Sequence, residues 1–185
     1  MKKLNHAFTL IELLLTISIV FILLGIALPS FSETLDNSHV KANLQRLAQT
    51  LQLSRLTAIN QNINVTLCPV DQTLTCSKNW STGYMSFIDK NGDRQFNNDD
   101  ELLYQYFSND KKSTLSWRAF GNRRSLQWLG TGITNHQNGS FELCYNNKED
   151  KSRALFLTKA GRIRYSKDHN GDNIHENSIG KAIRC

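Results

Sequence analysis

Arg162 and Arg164 flank Ile163 in the run Gly161-Arg162-Ile163-Arg164-Tyr165, and this spacing is the chain's sharpest chemical feature. Side chains alternate across an extended strand, so the two guanidinium groups are expected on one outer face, about 6.6–6.8 Å apart along the chain, with Ile163 and Tyr165 toward the core. A guanidinium engages phosphate oxygens through a planar fork of donors, and two of them at this interval suit successive anionic groups of a polymer. Lys159 precedes the pair, Lys167 follows it, and Lys181 and Arg184 stand in the last five residues. From Lys151 onward eight basic residues stand against three acidic ones, so the last thirty-five residues hold most of the formal net charge of +6. Such a cluster creates a local positive field. The ligand it fits is a polyanion: nucleic acid, anionic lipid or an acidic glycan. The plainer reading is an edge strand blunted by charge so that sheets do not pair. A second basic group, Lys111, Lys112, Arg118, Arg123 and Arg124, extends the surface or is ordinary exposed loop.

Other constellations are weaker. Asp89-Lys90-Asn91-Gly92-Asp93 starts like a calcium loop, with oxygen side chains at alternate positions, but Arg94 stands where such loops need glycine and Asp100 where they need a bidentate glutamate. Asp168-His169-Asn170-Gly171-Asp172 repeats the fragment. Both read better as turns in which Asx side chains accept from local backbone, so no metal or cofactor is expected. His6, His39, His136, His169 and His175 have no zinc-ligand spacing, and nucleophile-elbow, phosphate-loop and dinucleotide-binding patterns are missing. The sequence carries no catalytic residue set.

The elements that must position the cations begin with a long apolar run. Met1–Ala7 is short and basic, and Phe8–Leu28 is apolar save for Glu12. About 20 such residues cross a bilayer core, whereas a cleaved secretory signal has a shorter apolar stretch and a small-x-small site after it. A carboxylate in that run is costly, about 2.5–3.5 kcal/mol at a helix centre, so Glu12 needs a partner. The segment Ala7-Phe8-Thr9-Leu10-Ile11-Glu12 resembles the class III signal of type IV prepilins and pseudopilins. That resemblance implies cleavage between Ala7 and Phe8 by a prepilin peptidase, methylation of the new amino terminus, and pairing of Glu12 with the terminal amine of a neighbouring subunit. The family usually has glycine before the cut, where this chain has Ala7. Pro29 removes a helical hydrogen bond and predicts a bend there.

Beyond it, Phe31 to about Gln61 reads as an amphipathic helix. Leu44, Leu47, Leu51 and Ala58 recur at helical spacing, with Val40, Leu56 and Ile59 nearby; Lys41, Gln45, Arg46, Gln49 and Gln52 fill the wet side. Eight short β-rich runs follow: 64–70, 83–89, 102–107, 113–120, 126–129, 140–145, 153–158 and 162–166. This order predicts an α+β fold with the helix packed on antiparallel sheets. The organisation expected is 1–7 leader, 8–29 transmembrane helix and 30–185 globular domain. The four cysteines lie outside the inner membrane in this topology, where disulfides persist. They allow three pairings. Cys68–Cys76, a short loop, and Cys144–Cys185, which ties down the C-terminus, are favoured; the longer loop contributes on the order of 3 kcal/mol or more.

The stretch Trp80 through Asp93, with Trp80, Gly83, Phe87 and the Asp89–Asp93 loop, followed by Asp99-Asp100-Glu101-Leu102-Leu103, resembles the core motif of the FimT/GspH group of minor pilins and type II secretion pseudopilins. Gly161-Arg162-Ile163-Arg164 resembles a G-R-x-R motif of FimT-type minor pilins that bind DNA in natural transformation. These resemblances imply a type IV pilin-like fold, and a minor pilin that binds double-stranded DNA without sequence preference through Arg162, Arg164, Lys167, Lys159, Lys181 and Arg184. Its other partners would be fellow pilins, the peptidase and, before assembly, the inner membrane; its final place would be a pilus at the cell surface or in the periplasm. The competing implication is a structural minor pilin or secretion pseudopilin that initiates or caps a filament without touching DNA.

Overall fold

The structure of the protein, a computed structural model, describes residues 9–185, without the side chains of residues 27–30 and 122. The proposed leader and the Ala7–Phe8 cleavage site lie outside the described residues, and the bend expected at Pro29 falls on side chains that are likewise outside them. Helix α1 (Leu10–Gln61) starts beside Thr9, whose hydroxyl accepts from the Glu12 N–H at 3.3 Å. The chain divides into two compact units between Ser38 and His39, within α1. In the first unit, the apolar side chains described from Leu10 to Ile26 are all exposed, and the segment is long and apolar enough to cross a membrane.

The second unit has one core. In it α1 buries Val40, Leu44, Leu47, Ala48, Leu51 and Ala58, the stripe read from the sequence. Leu56 and Ile59 do not join that core: they are exposed, because they lie off the stripe. Arg46, expected on the wet side, places its guanidinium 4.4 Å from the Tyr106 ring centre, a cation–π contact. All eight expected strands form, in two antiparallel sheets. The first holds β1 (Val65–Pro69), β2 (Gly83–Ile88), β3 (Glu101–Phe107) and β5 (Leu126–Trp128), in the order β3-β2-β1-β5. The second holds β4 (Ser113–Ala119), β6 (Gly139–Tyr145), β7 (Lys148–Leu157) and β8 (Ile163–Tyr165), in the order β4-β6-β7-β8. Strand β7 begins at Lys148, earlier than its sequence pattern indicates, because it continues directly from a tight turn after β6 in which Asn146 and Asn147 take positive φ.

Trp80 joins the sheets. Its ring meets Phe141 of β6 edge-on at 4.9 Å, and its indole N–H donates to the Arg124 carbonyl. Asp89 is fully buried at the end of β2. Its carboxylate accepts from the Thr66 hydroxyl (2.6 Å), the Gln127 amide (2.7 Å), and the Gly92 and Arg94 backbone N–H groups (2.8 and 3.1 Å). The loop's first acid is therefore a structural acceptor.

Both favoured disulfides are present, Cys68–Cys76 and Cys144–Cys185. The second anchors the tail, residues 166–185, over the outer face of the second sheet. There Ala154 and Ser152 are buried, Ser152 Oγ donates to the Ile183 carbonyl, and Ile183 is only 2% exposed. Closing a loop of this length restricts the unfolded chain by about 3–4 kcal/mol in the loop-entropy account. Replacing both Cys144 and Cys185 by serine is expected to lower unfolding free energy by about 2–4 kcal/mol, measured as a lower urea midpoint, with far-UV circular dichroism unchanged.

Candidate nucleic-acid interface

The turn from β7 into β8 is held from three sides. Thr158 accepts from the Gly161 N–H through its carbonyl (2.9 Å) and from the Arg162 N–H through its hydroxyl (3.1 Å). Arg55 of α1 donates to the carbonyls of Gly132 (2.8 Å) and Ala160 (3.4 Å), tying this turn to the loop after β5. Gly161 lies at φ +82° with the Trp128 ring and the Gly132 carbonyl so close that a Cβ would stand 2.8 Å from each. The glycine that opens the sequence motif is thus required by backbone shape and packing.

Strand register sets what stands beside the arginines. Arg118 of β4 pairs with Ser140 of β6, Ser140 with Phe156 of β7, and Phe156 with Arg164 of β8. Directly paired residues share a face, so these four form one row across the second sheet. At about 4.8 Å per strand the row spans about 14 Å. It crosses two adjoining grooves of about 550 Å³ each, which share Phe156, Arg164 and Ser178. One groove is also lined by Arg162, Lys167 and Glu176, the other by Arg118, Phe120 and Lys159. Together they make a trough on the part of the outer face that the tail leaves open.

The cations of the trough point into solvent. Lys159, Arg162, Arg164 and Lys167 are exposed, and among the described residues none has a carboxylate within 4.0 Å. Arg118 does: its Nε lies 3.0 Å from Glu142 Oε2. Glu176, the acid in the lining, is buried, and one of its oxygens accepts from the His169 N–H at 3.0 Å. Asp168, in the loop beside Lys167, has its carboxyl held below the usual range because the Gly171 N–H, and after it those of Asn173 and its neighbours, donate to it. Asp168 and Asp89 use the same arrangement, each accepting from the N–H three residues on and five residues on. Among the described residues no group of three or more His, Cys, Asp or Glu could hold a metal ion.

The other sequence-selected residues scatter. Lys181 is exposed on the turn that Asn177 caps, outside the trough lining. Arg184 is exposed beside Cys185, whose Cys144 partner lies four residues along β6 from Ser140, about 13 Å from the arginine row. Lys151 is buried, and Arg153 turns inward to donate to the Asp150 and Ser152 carbonyls, so the basic tail is less exposed than its composition implies. Ile163 packs against the core as expected. Tyr165 shares its face but is 52% exposed, because β8 is the edge strand. Glu12 is exposed in the first turn of α1. Phe120 and Phe156 carried no signal in the sequence reading; alternation along 118–120 marks Arg118 and Phe120 as neighbours on one face, but only pairing brings Phe156 between the arginines.

Comparison with known proteins decides the family. The model described as type II transport protein GspH matches residues 43–161, about two thirds of the chain. The chain belongs to the GspH family. The model of the prokaryotic N-terminal methylation motif matches residues 2–28. The fold is similar to the type IV minor pilin FimU of Pseudomonas aeruginosa strain PAO1. One crystal form gives a TM-score of 0.57 at 19% identity, covering 74% of this chain and 92% of that one. A second gives 0.53 at 20% identity, covering 69% and 92%. No curated protein matches. The GspH-family chain therefore has the pilin-like α+β fold and carries the N-terminal methylation motif.

Two outcomes follow from the geometry. Gly161→Ala is expected to destabilise the protein by about 1–3 kcal/mol through strain and crowding, seen as a lower melting temperature; polyanion binding by the folded fraction stays intact. The His175 imidazole is held below its ordinary pKa by burial and then by Arg153, while its Nδ1 meets the Ser166 hydroxyl at 2.9 Å. A depressed histidine contributes stability that is present above about pH 6.5 and lost as pH falls through its folded value. The urea midpoint at pH 5.0 should thus lie below that at pH 7.5, and by a smaller margin in His175→Gln.

Proposed function

We propose that this chain is a minor type IV pilin that binds double-stranded DNA without sequence preference, as a receptor for uptake in natural transformation. One observation carries the reading: Arg162 and Arg164, with Lys159 and Lys167, are exposed and, among the described residues, free of carboxylates within 4.0 Å, on a hairpin fixed by Arg55 and Gly161. A rigid row of cations neutralises phosphates and releases their counterions, an affinity source indifferent to base sequence. No helix is presented to a groove here, so contacts to phosphate supply the binding and contacts to base edges do not. Lys181 and Arg184 would act as outlying charges that meet a duplex beyond the trough.

In this reading the peptidase cuts between Ala7 and Phe8, and the new amine is methylated. The chain first rests in the inner membrane through α1 and is then drawn into a pilus. Glu12, costly in lipid, gains by facing the terminal amine of a neighbouring subunit.

A second reading has one observation in its favour. Leu53, Leu56 and Ile59 leave an exposed apolar stripe on α1 within the globular unit. Lateral packing in a filament would cover it, and a subunit that only initiates or caps a pilus or secretion pseudopilus needs nothing more.

Fluorescence anisotropy of residues 30–185 with a labelled duplex, across a salt series, separates the two. The expected result is binding that weakens steeply with salt. Arg162→Gln with Arg164→Gln should cut affinity at least tenfold and reduce the slope of log K against log salt by about 2. Affinity unchanged by the double substitution would remove these residues from the site, and no salt-sensitive binding at all would leave the structural reading standing.

A further inference from the structure

We propose that the trough takes single-stranded nucleic acid, its bases stacking on Phe120 and Phe156 while its phosphates meet the flanking cations. This rests on the reading that the trough binds nucleic acid, and extends it by adding a single strand, held by its bases, to the duplex held by its phosphates.

A duplex turns its phosphates outward and stacks its bases within. A surface that only follows duplex phosphates needs cations, and exposed aromatic rings add nothing to it. This trough has both. Phe120 is 76% exposed, directly after β4, in a short 3₁₀ turn (Phe120–Asn122) where Gly121 takes φ +76°. Its backbone is fixed, since its N–H donates to the Asn138 carbonyl at 3.0 Å, so the ring is displayed from an ordered position. Phe156 is half-buried on the floor, in the row that runs Arg118, Ser140, Phe156, Arg164. Phe120 and Phe156 therefore share one groove with Arg118, Lys159 and Arg164.

Leaving a phenylalanine in water gives up the stabilisation that burial provides, and nothing in the fold requires Phe120 to stand out. A base supplies the missing partner: every base has a π-face, so stacking on an aromatic is sequence-tolerant, and paired with a basic groove it is how single strands are held. Charge complementarity selects an anionic partner over an apolar one. Arg118, Lys159, Arg162, Arg164 and Lys167 line the grooves; the acid in the lining is Glu176, buried and engaged by the His169 N–H, and Glu142 offsets Arg118 alone. The turn at 158–162 and the tail at 176–178 wall the trough. A duplex can lay one phosphate ridge on these walls, whereas a single strand can lower its bases between them.

The test uses the full chain in detergent micelles with three labelled probes at one salt concentration: a 20-nucleotide oligothymidine, a strand of the same length lacking its bases, and a 20-base-pair duplex. Wild type should bind oligothymidine on the order of tenfold more tightly than the abasic strand. Phe120→Ala, which removes the more exposed ring, should cut that difference at least threefold, leave duplex affinity within twofold, and leave the salt slope unchanged. Phe156→Leu, which keeps the floor apolar, should narrow the difference without removing it. Arg164→Gln should weaken all three probes. If wild type binds oligothymidine no better than the abasic strand, or if Phe120→Ala weakens duplex and single strand alike, stacking is excluded while salt-sensitive duplex binding stands. Binding of none of the three overturns this inference together with the DNA reading.

Discussion

One face of α1 has to serve two sheets at once. Leu44, Leu47, Leu51 and Ala58 lie in a single cluster with Val65, Leu67 and Trp128 of the first sheet and Phe141, Leu155 and Leu157 of the second. That arrangement uses up the inner face of each sheet and leaves the outer faces to be covered by what remains of the chain. On the first sheet the Cys68–Cys76 loop and Phe96 enclose Val70, Met85 and Phe87, so β1 and β2 are buried on both sides. On the second sheet the tail covers Ser152 and Ala154 but stops short of Ser140 and Phe156. The trough exists because the tail covers only part of the second sheet's outer face and leaves the region near the β7–β8 turn open.

Gathering cations there carries an energetic cost that the fold must meet. Two unit charges about 7 Å apart in water repel by about 0.6 kcal/mol, less once salt screens them. That is small beside the contributions that fix the hairpin: the Gly161 contact with Trp128, the Arg55 bonds to two carbonyls, and the covalent hold on the tail. Exposed cations do not stabilise this structure. They are tolerated because a framework worth several times their repulsion positions them, and a polyanion would relieve what repulsion remains.

Features set by local physics were legible in the sequence. Helical periodicity identified the stripe on α1, β-rich runs between turn residues identified all eight strands, and the short Cys68–Cys76 separation matched its pairing. The Asx loops were legible for the same reason, since Asp89 and Asp168 accept from backbone groups three and five residues ahead. Features set by pairing between distant strands were not. Arg118 and Arg164 are 46 positions apart, and their sharing a row depends on three consecutive registers. Tyr165 has the parity of a core residue, and only its place on an edge strand exposes it. Lys151 and Arg153 count as surface charge by composition, yet Lys151 is buried and Arg153 half-buried, its guanidinium donating to the Asp150 and Ser152 carbonyls.

The two readings of this chain draw on opposite sides of the same sheet, which makes them compatible. The helix lies against the inner face of the second sheet, and the trough is on its outer face. Neighbours packing against Leu53, Leu56 and Ile59 would approach through the helix and need not touch Phe156 or Arg164. On the proposed readings, assembly and nucleic-acid contact would therefore place independent demands on the sequence, one on the helical stripe and Glu12, the other on the β7–β8 hairpin and the turn after β4. A variant defective in one can be sound in the other. Under those proposals, this separability would assign filament formation and strand capture to different residues of one chain.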